Sequence, residues 1–360
     1  YGAIAVVDVS GTLVASYGDP SIVTFLRSTA KPFQVMPFLM RNGQETYQLT
    51  EREIAIMCAS HSGTDDHVAV IWEIQKKTGV EETELLCGTH EPYDVPTAES
   101  LREQKKRPTS NRHNCSGKHT GMLAYSRMLP DSDLPYIDLA HPLQVEILEN
   151  FAALCDLPVT AVHTGIDGCS APNFAVPLKH AALAFARLCD PISGKVASEN
   201  RISACKRITR AMTSNPDMVG GPGRFDTRLM EIGRGMILSK AGAEGYQGIG
   251  LLPGALGPDS PALGITLKIA DGDARSKVRS AVALEVLRQL GALNDLDFSA
   301  LKIFGPMLAV SNWRKLEVGK GYPGGDTDGG RDDSGNKPGQ TSPDGDRRPA
   351  LRPGRAGRRP

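Results

Sequence analysis

GAIAVVDVSGTLVASYGDPSIVTFLRSTAKPFQVMPFLM, residues 2–40, decides how the rest of the chain is read. Gly2 to Val9 is an apolar run of strand length, Ser10-Gly11 is a turn, and Thr12 to Tyr17 returns, so the chain opens as a β-hairpin. Gly18-Asp19-Pro20 interrupts it and Ile22 to Leu26 is a further short apolar run. Lys31 to Met40 is apolar enough for a helix packed inside the protein, and Pro32 suits its first turn, where no N–H is needed. Between strands and helix stands Ser28-Thr29-Ala30-Lys31. Residues three apart share a helix face, so a helix opened by Ser28 brings hydroxyl and amine within hydrogen-bond reach. Serine attacks well only when a neighbouring base takes its proton, and a desolvated lysine can be that base. The plainer alternative makes Ser28 a helix cap and Lys31 a surface lysine.

Composition narrows the classes. At 360 residues the chain has room for one large domain or two ordinary ones. Lys plus Arg and Asp plus Glu balance at 41 each, so no charge excess points to nucleic acid or an anionic membrane. No apolar run approaches the roughly 18 residues that span a bilayer. A basic segment followed by an apolar one is also missing, so no signal peptide is expected. Seven cysteines without framework spacing suit a reducing, cytoplasmic setting with thiols free or on metal. From Gly319 to Pro360 Gly, Pro, Asp and Arg dominate, and this stretch is expected to form a disordered tail.

Along the middle, Thr50 to Glu53 is a capping box before a short buried helix ending near Cys58. The loop Ala59-Ser60-His61-Ser62-Gly63 follows, and Thr64 caps a longer helix. His113 to His119 opens a helix reaching about Met128, Pro142 starts one ending near Leu154, and Thr160 to His163 reads as a strand before the loop Gly165 to Pro172. Helices near 176–188 and 199–213 follow, and another begins near Phe225. Tyr246 to Leu251 and Gly264 to Ile269 read as strands, and Ser276 to Leu290 as a closing helix. Strands at both ends with helices between predict an α/β (α+β) protein. Its antiparallel sheet comes from about 1–26 and 236–318, and a helical lobe from about 28–235. Lys240 then stands at the start of a sheet strand.

Two constellations carry chemistry. Hairpin, Ser-x-x-Lys and buried helix come in the order found in serine β-lactamases and penicillin-binding domains, where a sheet-strand lysine opens Lys-Thr-Gly; here the tripeptide is Lys240-Ala241-Gly242, a partial match. Ser60 is either a turn serine or a second catalytic serine facing Ser28 and pairing with Lys240 as Ser28 pairs with Lys31. Two lysines beside two serines repel, which drives one toward the neutral form that acts as a base. Cys115 and Cys169 sit in similar loops, Asn-Cys-Ser-Gly-Lys-His and Gly-Cys-Ser-Ala-Pro. Buried free thiols are the ordinary reading, and it suits Cys58, Cys155, Cys189 and Cys205 better. Two thiolates and a nitrogen would suit zinc with an open fourth position, and by chemistry alone His119 is the nitrogen donor.

Assembled, four segments resemble the asparaginase II family of the Rhizobium etli type: Arg27 to Gln34, Cys58 to Gly63, His113 to His119, and Gly165 to Pro172. The resemblance covers roughly residues 2–318. It implies a serine β-lactamase-like fold, a homodimer, and hydrolysis of L-asparagine to L-aspartate and ammonia. It implies two Ser-Lys pairs, Ser28 with Lys31 and Ser60 with Lys240. It also implies a zinc ion on Cys115, Lys118 and Cys169, a choice of Lys118 over His119 that rests on the resemblance alone. Relatives carry about one more strand before Tyr1, so an unpaired sheet edge beside the hairpin is expected.

The expected chemistry is attack by Ser28 on the asparagine amide carbon, with backbone N–H groups at the helix start holding the oxyanion. Ser60 and Lys240 relay the proton to ammonia. Arg27 and Asp167 hold the substrate's α-carboxylate and α-ammonium, with His61 and His119 as further contacts. The rivals are a penicillin-interacting serine hydrolase, a zinc-hydroxide amidase, and a ligand-sensing module that keeps the serine site without turnover.

Overall fold

The two ends of the chain meet in one sheet. The structure, a computed structural model, describes residues 1–274, 276–311, 313–324 and 352–353. Its strands are β1 (Gly2–Asp8), β2 (Leu13–Tyr17), β3 (Val23–Phe25), β4 (His163–Ile166), β5 (Pro172–Pro177), β6 (Ile237–Gly242), β7 (Tyr246–Leu251), β8 (Leu263–Ile269), β9 (Leu308–Ser311), β10 (Glu317–Gly321) and β11 (Arg352–Pro353). The main sheet is antiparallel, in the order β11-β2-β1-β8-β7-β6. The hairpin therefore joins the C-terminal strands as expected, with register from Gly2 against Ile269 to Asp8 against Leu263.

Successive strand residues face opposite sides, and both sides of this sheet are covered. Ala3, Ala5 and Val7 of β1 pack into the larger core under the helical lobe. Ile4 and Val6, with Ile265 and Leu267 of β8, pack into a second core that also holds Phe225, Leu229, Leu284 and Leu287. This is why β1 is apolar throughout rather than alternating. The helix Leu178–Cys189 lies hard against the sheet: a Cβ at Gly264 would overlap the Ala182 carbonyl oxygen, and Thr266 Oγ1 donates to Leu178 O at 2.8 Å.

Several expectations shift. β3 leaves the main sheet to pair with β5, which also pairs β4, and β9 and β10 form a hairpin of their own. The expected strand Thr160 to His163 is a 3-10 turn at Val159–Ala161, with β4 beginning at His163. The segment 31–40 is two short helices, Lys31–Gln34 and Met36–Met40, because Pro37 has no N–H and Val35 N–H closes the first turn instead. Lys240 lies inside β6, not at its start. β10 continues to Gly321, past the expected start of the tail, while 325–351 and 354–360 of that expectation lie outside the described residues. The edge strand β2 pairs with β11 rather than standing open. Among the described residues no helix is long and apolar enough to cross a membrane.

Candidate active site

Ser60 occupies the loop after the helix Glu51–Met57, whose predicted capping box is present. The loop is pinned at each step: Ser60 N–H donates to Val219 O at 3.0 Å, Ser62 Oγ to Gly220 O at 2.9 Å, and Asp94 N–H to Ser62 O at 3.0 Å. Two amines converge on its hydroxyl. Lys31 Nζ lies 2.9 Å from Ser60 Oγ and also donates to Ala59 O at 2.5 Å and Asn114 O at 3.2 Å. Lys240 Nζ, arriving from the sheet, lies 2.9 Å from the same oxygen and 2.9 Å from Ala241 O. Lys31 is 1% exposed and Lys240 0%, so the surface-lysine alternative for Lys31 is overturned.

Burial lowers Lys240 most; the Asp226 carboxylate opposes that, and the nearby charges of Lys31 and Arg224 add to it, leaving the amine at about 7. Near neutrality it is therefore shared between ammonium and free base. Cys58, close to both lysines, is pushed up to about 12 by burial and stays a neutral thiol.

The expected hydrogen bond between Ser28 and Lys31 is not formed. Ser28 lies in a 3-10 turn, Arg27–Ala30, and its only tie to Lys31 is through the backbone, Lys31 N–H to Ser28 O. The half-buried Ser28 hydroxyl has no protein partner among the described residues. It lines a cavity of about 740 Å³ with Ser60, Tyr93, Asn114, Arg224 and Arg279. Two amides expected to hold an oxyanion are spent internally, Thr29 N–H on Leu26 O and Lys31 N–H on Ser28 O.

Arg27 takes φ +54°, a left-handed conformation that strains a residue with a Cβ. Its guanidinium is clamped between carboxylates, Nε to Asp167 Oδ1 at 2.7 Å and Nη1 to Glu244 Oε1 at 2.6 Å. Burial pushes Asp167 up, but the Arg27 hydrogen bond and the Lys118 and Arg27 charges leave it below its usual range. Arg27 and Asp167 thus meet each other rather than standing free, and of this group only Glu244 lines the cavity.

Neither histidine lines the cavity. His61 Nδ1 accepts from Gly63 N–H at 3.1 Å, and Nε2 lies 2.9 Å from Ser116 Oγ, which donates to Asn111 O. Burial first, then neighbouring cations, holds His61 well below its usual range. Its place is structural, in the loop that carries Ser60. His119 Nδ1 lies 2.6 Å from Tyr136 OH, burial brings it to about 4 against the opposing effect of Cys169, and among the described residues its buried Nε2 makes no close hydrogen bond.

Cys115, Lys118 and Cys169 come together although their loops are distant in sequence. Lys118 Nζ donates to Cys169 Sγ at 3.0 Å, and the Cys115 thiol is held well below its usual range by a hydrogen bond with Cys169 against the effect of burial. Burial lowers Lys118, but the charges of Cys169 and Cys115 outweigh it and keep its ammonium favoured. Among the described residues no group of three or more His, Cys, Asp and Glu side chains is placed to hold a metal. Two thiols and one amine are the donors present.

The family described as L-asparaginase II matches residues 1–322. No curated protein matches the chain. Among solved structures, a Bacillus subtilis glutaminase in covalent complex with 5-oxo-L-norleucine is 13% identical over 74% of this chain and 79% of that chain, with a TM-score of 0.34. The structure described as Mglu in its tris and glutamate form is 17% identical over 81% and 60%, with a TM-score of 0.37. Likenesses this weak bear on nothing that follows.

Proposed function

This chain belongs to the L-asparaginase II family, and from that membership we propose that it hydrolyses the side-chain amide of L-asparagine to L-aspartate and ammonia. The observation that carries a serine mechanism is the meeting of two buried lysine amines at 2.9 Å on one serine oxygen, beside a second serine open to the same cavity. Ser28 Oγ attacks the amide carbon and its proton passes to Lys31, three residues on; apo contacts of this kind often close only with substrate bound. The C–N bond then breaks. Ammonia leaves with that proton, handed from Lys31 through Ser60 to Lys240 and on to the departing nitrogen, and water cleaves the ester.

A second reading makes Ser60 the nucleophile, favoured because both amines contact it and neither contacts Ser28. A diazo-ketone analogue of asparagine followed by peptide mapping separates the two. Label on Ser28, with Ser28→Ala folded and inactive in ammonia release, is expected. Label on Ser60 in the wild type, or full activity of Ser28→Ala, overturns the first reading.

We also infer that Cys115, Lys118 and Cys169 hold zinc. The donor set fits only with Lys118 as a neutral amine, since no further His, Cys, Asp or Glu joins the two thiols in a metal-holding group among the described residues. A bound zinc would supply fixed positive charge and tie the Cys115 loop to the Cys169 loop. The serines already provide a nucleophile, so no hydroxide is needed. Because the amine must lose a proton, affinity should fall as pH drops.

A further inference from the structure

Asp226, in the first turn of the helix Phe225–Ile232, is a buried carboxylate that the reaction above does not use. Its Oδ1 accepts from Ser239 Oγ at 2.8 Å and Gln247 Nε2 at 2.9 Å, and its Oδ2 from Ala241 N–H at 2.7 Å. Gln247 also donates to Ser239 Oγ at 3.0 Å, closing the ring. Ser239 and Ala241 are the two neighbours of Lys240 on β6, so one carboxylate grips the strand on either side of the lysine. Strand alternation then sends Lys240 to the opposite face, where its amine meets Ser60. A slip of one residue would turn the amine away from Ser60.

We propose that Asp226 is a positioning residue for Lys240, fixing the β6 backbone that aims the amine at Ser60 and setting that amine's proton affinity by its charge. The inference rests on the reading of Lys240 as the proton relay behind Ser60. Around the amine stand the cations Lys31 and Arg224, the thiols Cys58 and Cys115, and this carboxylate, which Arg279 also faces. Burial acts to raise Asp226, but Lys240, Arg279 and its hydrogen bonds leave it lowered, so it carries its charge where the lysine feels it.

The test titrates Lys240 directly, without turnover. A small acylating reagent such as acetic anhydride, applied across pH and read by peptide mass spectrometry, gives the midpoint of Lys240 reactivity. Asp226→Asn should lower that midpoint by about 1–3 units. Ser239→Ala, which keeps the charge and removes one hydrogen bond, should leave it in place. Where the wild type turns over asparagine, the acid limb of kcat/KM should move with the midpoint while KM stays. If Asp226→Asn does not accumulate folded, Asp226→Ser takes its place with the same readout. An unmoved midpoint in either folded variant, or an equal shift in Ser239→Ala, overturns the proposal. Failure of the wild type to release ammonia instead overturns the function and leaves the titration result standing.

Discussion

Ser60 is hemmed in by two buried amines, and like charges held this close repel each other. Burial, and then the neighbouring cations, bring Lys240 to about 7. To take the proton on from Ser60, Lys240 must be unprotonated, so kcat/KM should rise with pH up to about 7 and flatten above it, falling about tenfold per unit below. A pH profile on L-asparagine checks this; an acid limb near pH 4 would assign the base to a carboxylate instead. Lys240→Met should lower kcat by about 10²–10⁴-fold with the protein still folded. The Ser-x-x-Lys motif was legible because its residue types and spacing are local. Asp226 was not, since nothing around Phe225 distinguishes a buried carboxylate from an exposed acid in a helix's first turn, where acids are favoured anyway.

The element that matters most is β6, delivered against the turn that carries Ser28. Gly242 makes that approach feasible, because a Cβ there would stand 2.6 Å from Leu26 O. Gly242→Val should therefore separate β6 from the Arg27–Ala30 turn and lower kcat at least tenfold, and a steady-state assay beside circular dichroism will tell this from unfolding. Removing the Thr50 cap acts differently: Thr50→Ala loses the side-chain bond to Glu53 N–H and should cost about 1 kcal/mol in urea unfolding with kcat nearly unchanged. The Cys115 and Cys169 loops come from separate elements, and a metal tying them together adds stability by mass action. Zinc at about 100 times its Kd should add about 2.7 kcal/mol, lost on chelation and absent in Cys169→Ala. Equal Tm with and without zinc would remove the site.

Lobe and sheet share one core, and Phe185 is its hinge point. Its ring lies 5.2 Å from that of Phe33, just behind the Ser-x-x-Lys turn, and presses on β7, where a Cβ at Gly248 would overlap it. Phe185→Ala should cost about 3–5 kcal/mol in urea unfolding, and because the cavity opens beside Phe33, in the same helix as Lys31, it should reduce kcat as well. That both ends of the chain share one sheet, though not the order within it, was legible at the outset, because strands at either end with helices between them have no other partners. Short strands were less so. β3 and β4 are only three and four residues long, and β5, with which both pair, begins at Pro172, far beyond the end of β3 at Phe25, where the sequence reads as the end of a loop.

What the amino-acid order determined alone is the set of reactive groups and the sheet they stand on, because periodicity, caps and short-range spacing act through neighbours in the chain. Which serine each lysine serves was decided only by the folded protein. Lys31 reaches Ser60 rather than Ser28 as its amine also meets the buried carbonyl of Ala59 and the half-buried one of Asn114, 28 and 83 residues away. A group that must be satisfied in the dark of the interior takes the partner the packing offers, and no local pattern names that partner in advance.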